Sequence, residues 1–184
     1  MDENEILKAE PVHLRYNEAR HLYDSFLKSC GPPRDSYFSM ITYFDAFLFT
    51  YVSIEEMVDS GIKNQLNQLP VFKFLKAARN ITTHHSVLAA PNQAGEFNRP
   101  FSRIINDGNT GIASAKLKVR IEKFREMFSL AGEKYPRGAK GYQESEAYLQ
   151  CIEQNGTDSV FIEEIMLEGL KGVSNVLGLK SQGI

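Results

Sequence analysis

The chain has 184 residues, of which 42% are hydrophobic and 24% are charged, and its formal net charge is -2. This length suits one well-buried domain, 1–184, and the composition is that of a globular rather than a disordered protein. The small negative charge excludes a protein that binds nucleic acid through its overall charge. Any nucleic-acid surface must therefore be a local basic patch.

The start of the chain predicts a cytoplasmic protein without a membrane span. Residues 1–5 are acidic and lack the regions of a signal peptide, and the most apolar run is interrupted by Asp45. Cys30 and Cys151 lie far apart without metal-ligand spacing, so we expect buried thiols. We expect no metal and no other cofactor.

Apolar periodicity predicts two long helices in the first third of the chain. The first runs from Pro11 to about Cys30, and the second runs from about Asp35 to Asp59. The second helix has so broad an apolar and aromatic surface that it must be covered on two sides. It is either the central helix of a monomeric core or a helix that packs against a second subunit.

A third amphipathic helix is predicted from Pro70 to about Ala90, because Pro91 and the following polar residues break the pattern. Its apolar residues recur at helical spacing. Between them, Lys73, Lys76 and Arg79 recur every three residues and form a basic stripe. Asn80, Thr83 and His84 follow in the second half of this helix.

The remainder of the chain predicts a β-hairpin followed by two closing helices. Alternating residues on both sides of a turn at 106–111 indicate a hairpin within about 97–124, although a helix over 114–131 is the alternative. The segment 132–141 reads as a loop, and helices are predicted over 143–154 and 158–177. The expected fold class is therefore mainly α: an antiparallel bundle of about five helices with a hairpin insertion.

The polar face of the predicted hairpin would present Lys116, Lys118 and Arg120. Such a row of cations could bind the phosphate backbone of RNA. The alternative is that lysines on an exposed strand block edge-to-edge pairing.

Arg79 and His84 supply the two chemical groups that RNA cleavage needs in the absence of a metal. A guanidinium stays charged and can bind phosphate oxygens bidentately, and an imidazole can move protons near neutral pH. The amide of Asn80 can both donate and accept hydrogen bonds. We therefore predict Arg79, Asn80 and His84 as catalytic residues, with Lys73, Lys76 and Thr83 as further RNA contacts.

A pattern of arginine and histidine this short also arises by chance, and the chain contains a second match. Arg15 and His21 have similar spacing, but Glu18 and Asp24 give the cations of that first helix ordinary local partners. We interpret the second match as a solvated helix face.

The segment from Arg79 to His84 resembles the motif of the HEPN superfamily, in which arginine and a polar residue precede a histidine on a long helix. The resemblance implies an HEPN-like antiparallel bundle and a metal-independent endoribonuclease that acts as a homodimer. It also implies a toxin or phage-defence role, with a protein inhibitor as a further partner.

Helix geometry also favours a dimer, because residues five apart on an ideal helix are separated by about 140° around its axis. Arg79 and His84 therefore do not share a helix face. Two such helices facing each other would bring two arginines and two histidines to one cleft. The alternative function is a non-catalytic HEPN-like module that binds a protein or nucleotide partner.

Overall fold

The computed structural model describes residues 10–30, 36–84, 101–106, 114–134 and 136–179, with the backbone alone at 36–38, 83–84, 101–106, 114–119 and 137. Helices account for most of these residues. The mainly α fold class predicted from the sequence is therefore confirmed.

The first two helices, α1 (Pro11–Ser29) and α2 (Ser36–Ser53), pack against each other as consecutive elements. α1 begins at Pro11, where a residue without a backbone N–H is tolerated. α2 ends at Ser53, earlier than predicted, because the chain turns into a 3-10 helix at Ile54–Glu56.

A short helix, α3 (Ser60–Leu66), precedes the helix that carries the predicted site. The carboxylate of Asp59 caps α3 by accepting hydrogen bonds from the backbone N–H groups of Gly61 and Ile62, at 2.7 and 3.0 Å. The site helix, α4, spans Pro70–His84. The predicted continuation to Ala90 lies outside the described residues.

Three strands form a small antiparallel sheet in the order β1-β2-β3. β1 (Phe101–Asn106) and β2 (Ser114–Arg120) pair at the place where the sequence predicts a hairpin, with Ile104 opposite Lys116. The third strand, β3 (Ser159–Phe161), pairs with β2 and was not predicted. The alternative of a helix from residue 114 is wrong up to Arg120.

Four helices complete the described chain: α5 (Ile121–Lys134), α6 (Pro136–Glu144), α7 (Glu146–Gln154) and α8 (Ile162–Val176). The predicted loop over 132–141 is wrong, because glycines 132, 138 and 141 all lie within helices. The tertiary packing of Phe128, Ala131 and Tyr142 outweighs the low helix propensity of these glycines. α8 begins four residues after the predicted N-cap, Asp158, because β3 intervenes.

An aromatic cluster joins α4 to the C-terminal helices. The ring of Phe74 lies 4.6 Å from that of Phe124 and 4.9 Å from that of Tyr148, measured between centroids. Phe128 packs edge-on against Phe124 and stacks on Tyr142 at 5.4 Å. Aromatic pairs at these distances add stabilisation beyond their buried area.

α8 approaches α2 and α4 closely at Gly169. The hydroxyl of Tyr51 donates a hydrogen bond to the carbonyl of Gly169 at 3.1 Å. A Cβ atom at this glycine would lie 2.8 Å from Leu75 Cδ1 and 3.1 Å from the Tyr51 hydroxyl. Only glycine therefore allows this contact without displacing buried side chains.

The broad apolar surface of α2 is covered mainly from within the chain. α2 contacts α1, α4 and β2, and its large apolar residues from Met40 to Val52 are buried, with the exceptions of Tyr43, which is half-buried, and Phe49, which is 44% exposed. Among the described residues, α2 is thus a central core helix. Phe49 is the part of its surface that a second subunit could still cover.

Of the two cysteines, Cys30 is half-buried and Cys151 is exposed on α7, so the expectation of two buried thiols is wrong for Cys151. The described residues include no cluster of three or more side chains suited to hold a metal ion. Within the same residues, no helix combines the length and hydropathy needed to cross a bilayer.

We predict that Gly169→Ala destabilises the protein by about 1–3 kcal/mol, because its methyl group must displace Leu75 and Tyr51 in a packed core. Gly141→Ala is the matched control. A Cβ at Gly141 meets nothing within 4 Å, so alanine should stabilise its helix by up to about 1 kcal/mol. Urea unfolding measures both variants, and equal stabilities would contradict the close approach.

Candidate functional site

The structure places Arg79 and Asn80 in the second half of α4, and both side chains are half-buried. Their neighbours Ala77, Ala78 and Ile81 are buried, because α4 packs against α2, α8 and the C-terminal helices. His84 is the last residue of the helix. The predicted catalytic residues thus lie on one helix, with the side chains of Thr83 and His84 outside the described set.

The predicted basic stripe is largely compensated by carboxylates. The ammonium of Lys76 lies 2.6 Å from Glu55 Oε1, and Glu55 is only 5% exposed. Asn67 donates a further hydrogen bond to Glu55 Oε2 at 3.0 Å. Lys73 pairs more loosely with Glu144, at 3.7 Å. Lys76 therefore has a structural role, since removing it would leave a buried carboxylate without its cation.

The predicted RNA contacts of the hairpin lie on the central strand of the sheet. Lys118 pairs with both Ser102 and Phe161, whereas Arg120 is exposed at the end of β2. Because β3 pairs with β2 at residues 118–120, blocking of an open strand edge does not explain Lys118. Among the described residues Lys116 pairs only with β1, so that alternative stays open for Lys116. The sheet keeps Lys116, Lys118 and Arg120 at alternate positions of one strand.

The contacts of α8 establish which residues of neighbouring helices lie at the same height along the axis of the helix bundle. Gly169 contacts Leu75, and Gly172 lies against Val71, so α8 runs antiparallel to α4. Glu163 is six residues before Gly169, and Ile81 is six residues after Leu75. With a rise of about 1.5 Å per residue, Glu163 therefore lies at the height of Ile81.

Contacts with α8 also fix the directions of α1 and α2. Tyr16 donates to the carbonyl of Leu170, and Glu163 is among the groups that raise the pKa of Tyr23, after burial itself. α8 is therefore antiparallel to α1 as well, and α2, which packs on α1 after a short connection, runs parallel to α8.

Asp45 therefore lies at the height of Glu163. Tyr51 contacts Gly169, and Asp45 precedes Tyr51 by the same six residues that separate Glu163 from Gly169. Arg79 and Thr82 lie within about one helical turn of this height. The four residues come from α2, α4 and α8.

Polar atoms of all four residues are shielded from solvent, and we call this set the buried polar layer: Asp45, Arg79, Thr82 and Glu163. Within the described part of the chain, Asp45 Oδ1 and Thr82 Oγ1 have no hydrogen-bond partner. A buried polar atom without a partner typically costs about 1–3 kcal/mol. The layer is thus a costly arrangement at the end of the bundle where α4 reaches His84.

Burial raises the pKa of the Asp45 carboxyl to about 6. The cause is desolvation, which disfavours the charged form. A carboxyl that titrates near neutral pH can exchange protons, and perturbed groups of this kind concentrate at functional sites. Structural charge networks perturb pKa values too, but Asp45 belongs to no ion pair among the described residues.

The second match to the arginine and histidine pattern lies on α1. Arg15 forms an ion pair with Glu18 at 2.9 Å, and His21 is exposed. The structure thus agrees with the interpretation of this segment as a solvated helix face.

Sequence reasoning missed Asp45 and Glu163 as members of the site. Asp45 gave a usable signal, because it is the lone carboxylate in the apolar run of α2. Glu163 gave none, since acidic residues in the first turn of a helix are common for reasons of helix stability. The role of Glu55 was likewise invisible, because its partners Lys76 and Asn67 come from other elements.

The chain matches no protein-family model, no curated protein and no solved structure. The site must therefore be interpreted from its own chemistry. It combines a half-buried guanidinium, a neighbouring amide and a buried hydroxyl on α4, which terminates in histidine, with two carboxylates at a similar height on α2 and α8. Such a set can bind a phosphate and transfer protons.

We predict that Asp45→Asn stabilises the protein at pH 7.5 by about 1–2 kcal/mol, a range reduced for the partial exposure of the carboxyl. The folded-state pKa is raised, so Asp45 favours folding below its unfolded pKa of about 4, and this contribution is lost as pH rises through about 6. The difference between variant and wild type should thus nearly vanish at pH 4. Urea unfolding at both pH values measures it, and a gain that is independent of pH would contradict desolvation of Asp45.

Proposed function

We propose that the protein is a metal-independent endoribonuclease whose catalytic residues are Arg79, Asn80 and His84. The observation that carries the proposal is the buried polar layer at the height of Arg79, where α4 approaches His84. Strained and perturbed buried groups cluster at functional sites. Arginine followed by histidine on the same helix then suggests phosphodiester chemistry.

In the proposed reaction, the 2′-hydroxyl oxygen of a ribose attacks the adjacent phosphorus, and the bond from phosphorus to the 5′-oxygen breaks. The products are a 2′,3′-cyclic phosphate and a free 5′-hydroxyl. One imidazole takes the proton of the 2′-hydroxyl, and an imidazolium gives a proton to the leaving 5′-oxygen. Arg79 stabilises the charge that develops on the phosphoryl oxygens, and Asn80 orients either group.

The reaction needs two proton-transfer groups, and this requirement supports a homodimer. One α4 helix carries one His84, separated from Arg79 by about 140° around the helix axis. A twofold axis beside α4 would supply the second histidine and a second arginine. The exposed Phe49 of α2 offers an apolar contact for such an interface.

RNA binding would depend on few cations in this protein. Because Lys76 is committed to Glu55 and Lys73 pairs with Glu144, we propose Thr83, Lys116, Lys118 and Arg120 as the backbone contacts. Such a site would bind RNA with modest salt dependence, since each neutralised phosphate contributes to the slope. The proposal also includes a cytoplasmic protein with a toxin or phage-defence role, held in check by a protein inhibitor.

The compensated lysines of α4 favour one other candidate function. A protein of net charge -2, in which Lys73 and Lys76 are paired, has less cationic surface near Arg79 than RNA binding usually demands. A non-catalytic helical module that binds a protein or nucleotide through Arg79 and His84 fits that balance.

We predict that the wild-type protein cleaves RNA in EDTA and that His84→Ala lowers the rate at least about 100-fold, because proton transfer contributes that much or more. Arg79→Ala should also remove activity. Its side chain is half-buried with Nε shielded, so we expect a stability loss of about 1–2 kcal/mol as well. The folded fraction of each variant is measured by circular dichroism.

His21→Ala is the matched control for this experiment. His21 is exposed on α1 and belongs to the second match, so its removal should leave cleavage unchanged. Products must carry 2′,3′-cyclic phosphate ends. The catalytic proposal is wrong if the wild type cleaves no RNA or if His84→Ala cleaves as well as wild type, and the binding module then takes its place.

We further predict a homodimer in solution at micromolar concentration. Phe49→Glu should shift sedimentation toward the monomer, because a charge would be buried in the proposed interface. The exposed Leu130 of α5 serves as the control, and Leu130→Glu should leave the dimer intact. A wild-type protein that sediments as a monomer at high micromolar concentration would refute the dimer.

A further inference from the structure

A cleft lies between α5 and the helix pair α6 and α7, apart from the buried polar layer. Its volume is about 580 Å³, which is within the range of small-molecule sites. On each side, the lining residues recur three and four positions apart, as one helix face does. They are Arg125, Phe128, Ser129, Gly132 and Glu133 on α5, and Ala139, Tyr142, Gln143 and Glu146 opposite.

Small and aromatic residues make the floor of this cleft apolar. Phe128 and Tyr142 stack with an interplanar angle of 17°, and both are more than nine-tenths buried. A Cβ atom at Gly132 would lie 3.5 Å from that of Ala139, an ordinary contact distance. A methyl group therefore fits at this position, and a larger side chain would extend into the cleft that Gly132, Ala139 and Tyr142 line.

The only cation that the described residues contribute to the lining, Arg125, is already neutralised. Its guanidinium contacts Glu146 at 2.6 Å and Glu153 at 2.6 Å, in a bidentate arrangement with each carboxylate. The two carboxylates carry a charge of -2 against the +1 of Arg125, so this group has a net charge of -1. The pairs raise the pKa of Arg125 and lower that of Glu153.

A second negative charge stands at the cleft on Glu133. Glu133 is exposed and, within the residues that the structure describes, has no cationic partner. The cleft therefore disfavours phosphates and carboxylates. A positive charge would gain from Coulomb attraction to these carboxylates, and an apolar body attached to it would gain from contact with the aromatic floor.

We propose that this cleft binds a small organic cation: a primary amine carried by an aromatic or apolar body. The body packs on the Phe128 and Tyr142 floor, and the ammonium group lies near Glu133. This assignment does not depend on the ribonuclease proposal, since none of its residues belongs to that site.

Tryptamine is a suitable probe, because the chain contains no tryptophan and indole emission therefore reports the ligand alone. Tryptophol and indole-3-propionate carry the same ring with a neutral and an anionic group. We expect tryptamine to bind about three- to fivefold more tightly than tryptophol, as one partly exposed ion pair allows, and the propionate to bind least. This preference should decline in high salt.

Two variants with matched controls test the location. Glu133→Gln should weaken tryptamine about threefold, whereas Glu122→Gln, at an exposed position of the same helix outside the cleft, should not. Gly132→Leu should lower the affinity at least about tenfold by filling the cleft. Gly141→Leu, which projects into open space, should bind as wild type does.

Gly132→Ala is the control for misfolding of the leucine variant. Its methyl group makes only ordinary contacts and favours the helix. This variant should be at least as stable as wild type and should bind tryptamine more weakly. The proposal is overturned if tryptophol binds as tightly as tryptamine, if Gly132→Leu binds normally, or if no probe binds.

Discussion

The close approach of α8 to α2 and α4 at Gly169 is the contact on which the rest of the architecture depends. It brings Tyr51, Leu75 and the backbone of α8 into one tight packing point. From this point the helices extend with a fixed relative height, so Asp45, Arg79 and Glu163 lie at similar heights toward one end of the bundle. A side chain at Gly169 would separate the helices and change which residues share a height.

Buried polar groups of two kinds occur in this protein, and they differ in whether their desolvation cost is offset. Lys76 and Glu55 form a pair that offsets most of its desolvation cost, and Asn67 satisfies a further acceptor. Asp45 and Thr82 have no such compensation among the described residues. Folding alone would favour apolar residues at their positions, so their presence indicates a requirement beyond stability.

The sequence predicted the elements whose signals are local. Prolines at the starts of α1 and α4, apolar periodicity and strict alternation located α1, the start of α4 and the strands β1 and β2 to within a few residues. The prediction was wrong where tertiary packing determines the secondary structure. Glycines at 132, 138 and 141 resemble a loop, yet the Phe128 and Tyr142 stack holds this region helical.

The candidate site shows the same division between local and long-range signals. Arg79, Asn80 and His84 are contiguous in sequence, so one pattern could nominate them together. Their surroundings could not be predicted, since Asp45 and Glu163 reach the site only through the packing of α2 and α8. For the same reason, Lys76 resembled a phosphate contact until its partner Glu55 was known.

The buried polar layer and the aromatic cleft lie on different parts of one core. The ring of Phe74 on α4 packs edge-on against that of Phe128, with 6.1 Å between the ring centroids. Phe128 in turn forms part of the floor of the cleft. Arg79 is five residues farther along α4, a rise of about 7.5 Å. Substitutions that share no partner at such separations usually act additively. A change at Gly132 and a change at His84 should thus have independent effects, which makes each site accessible to separate measurement.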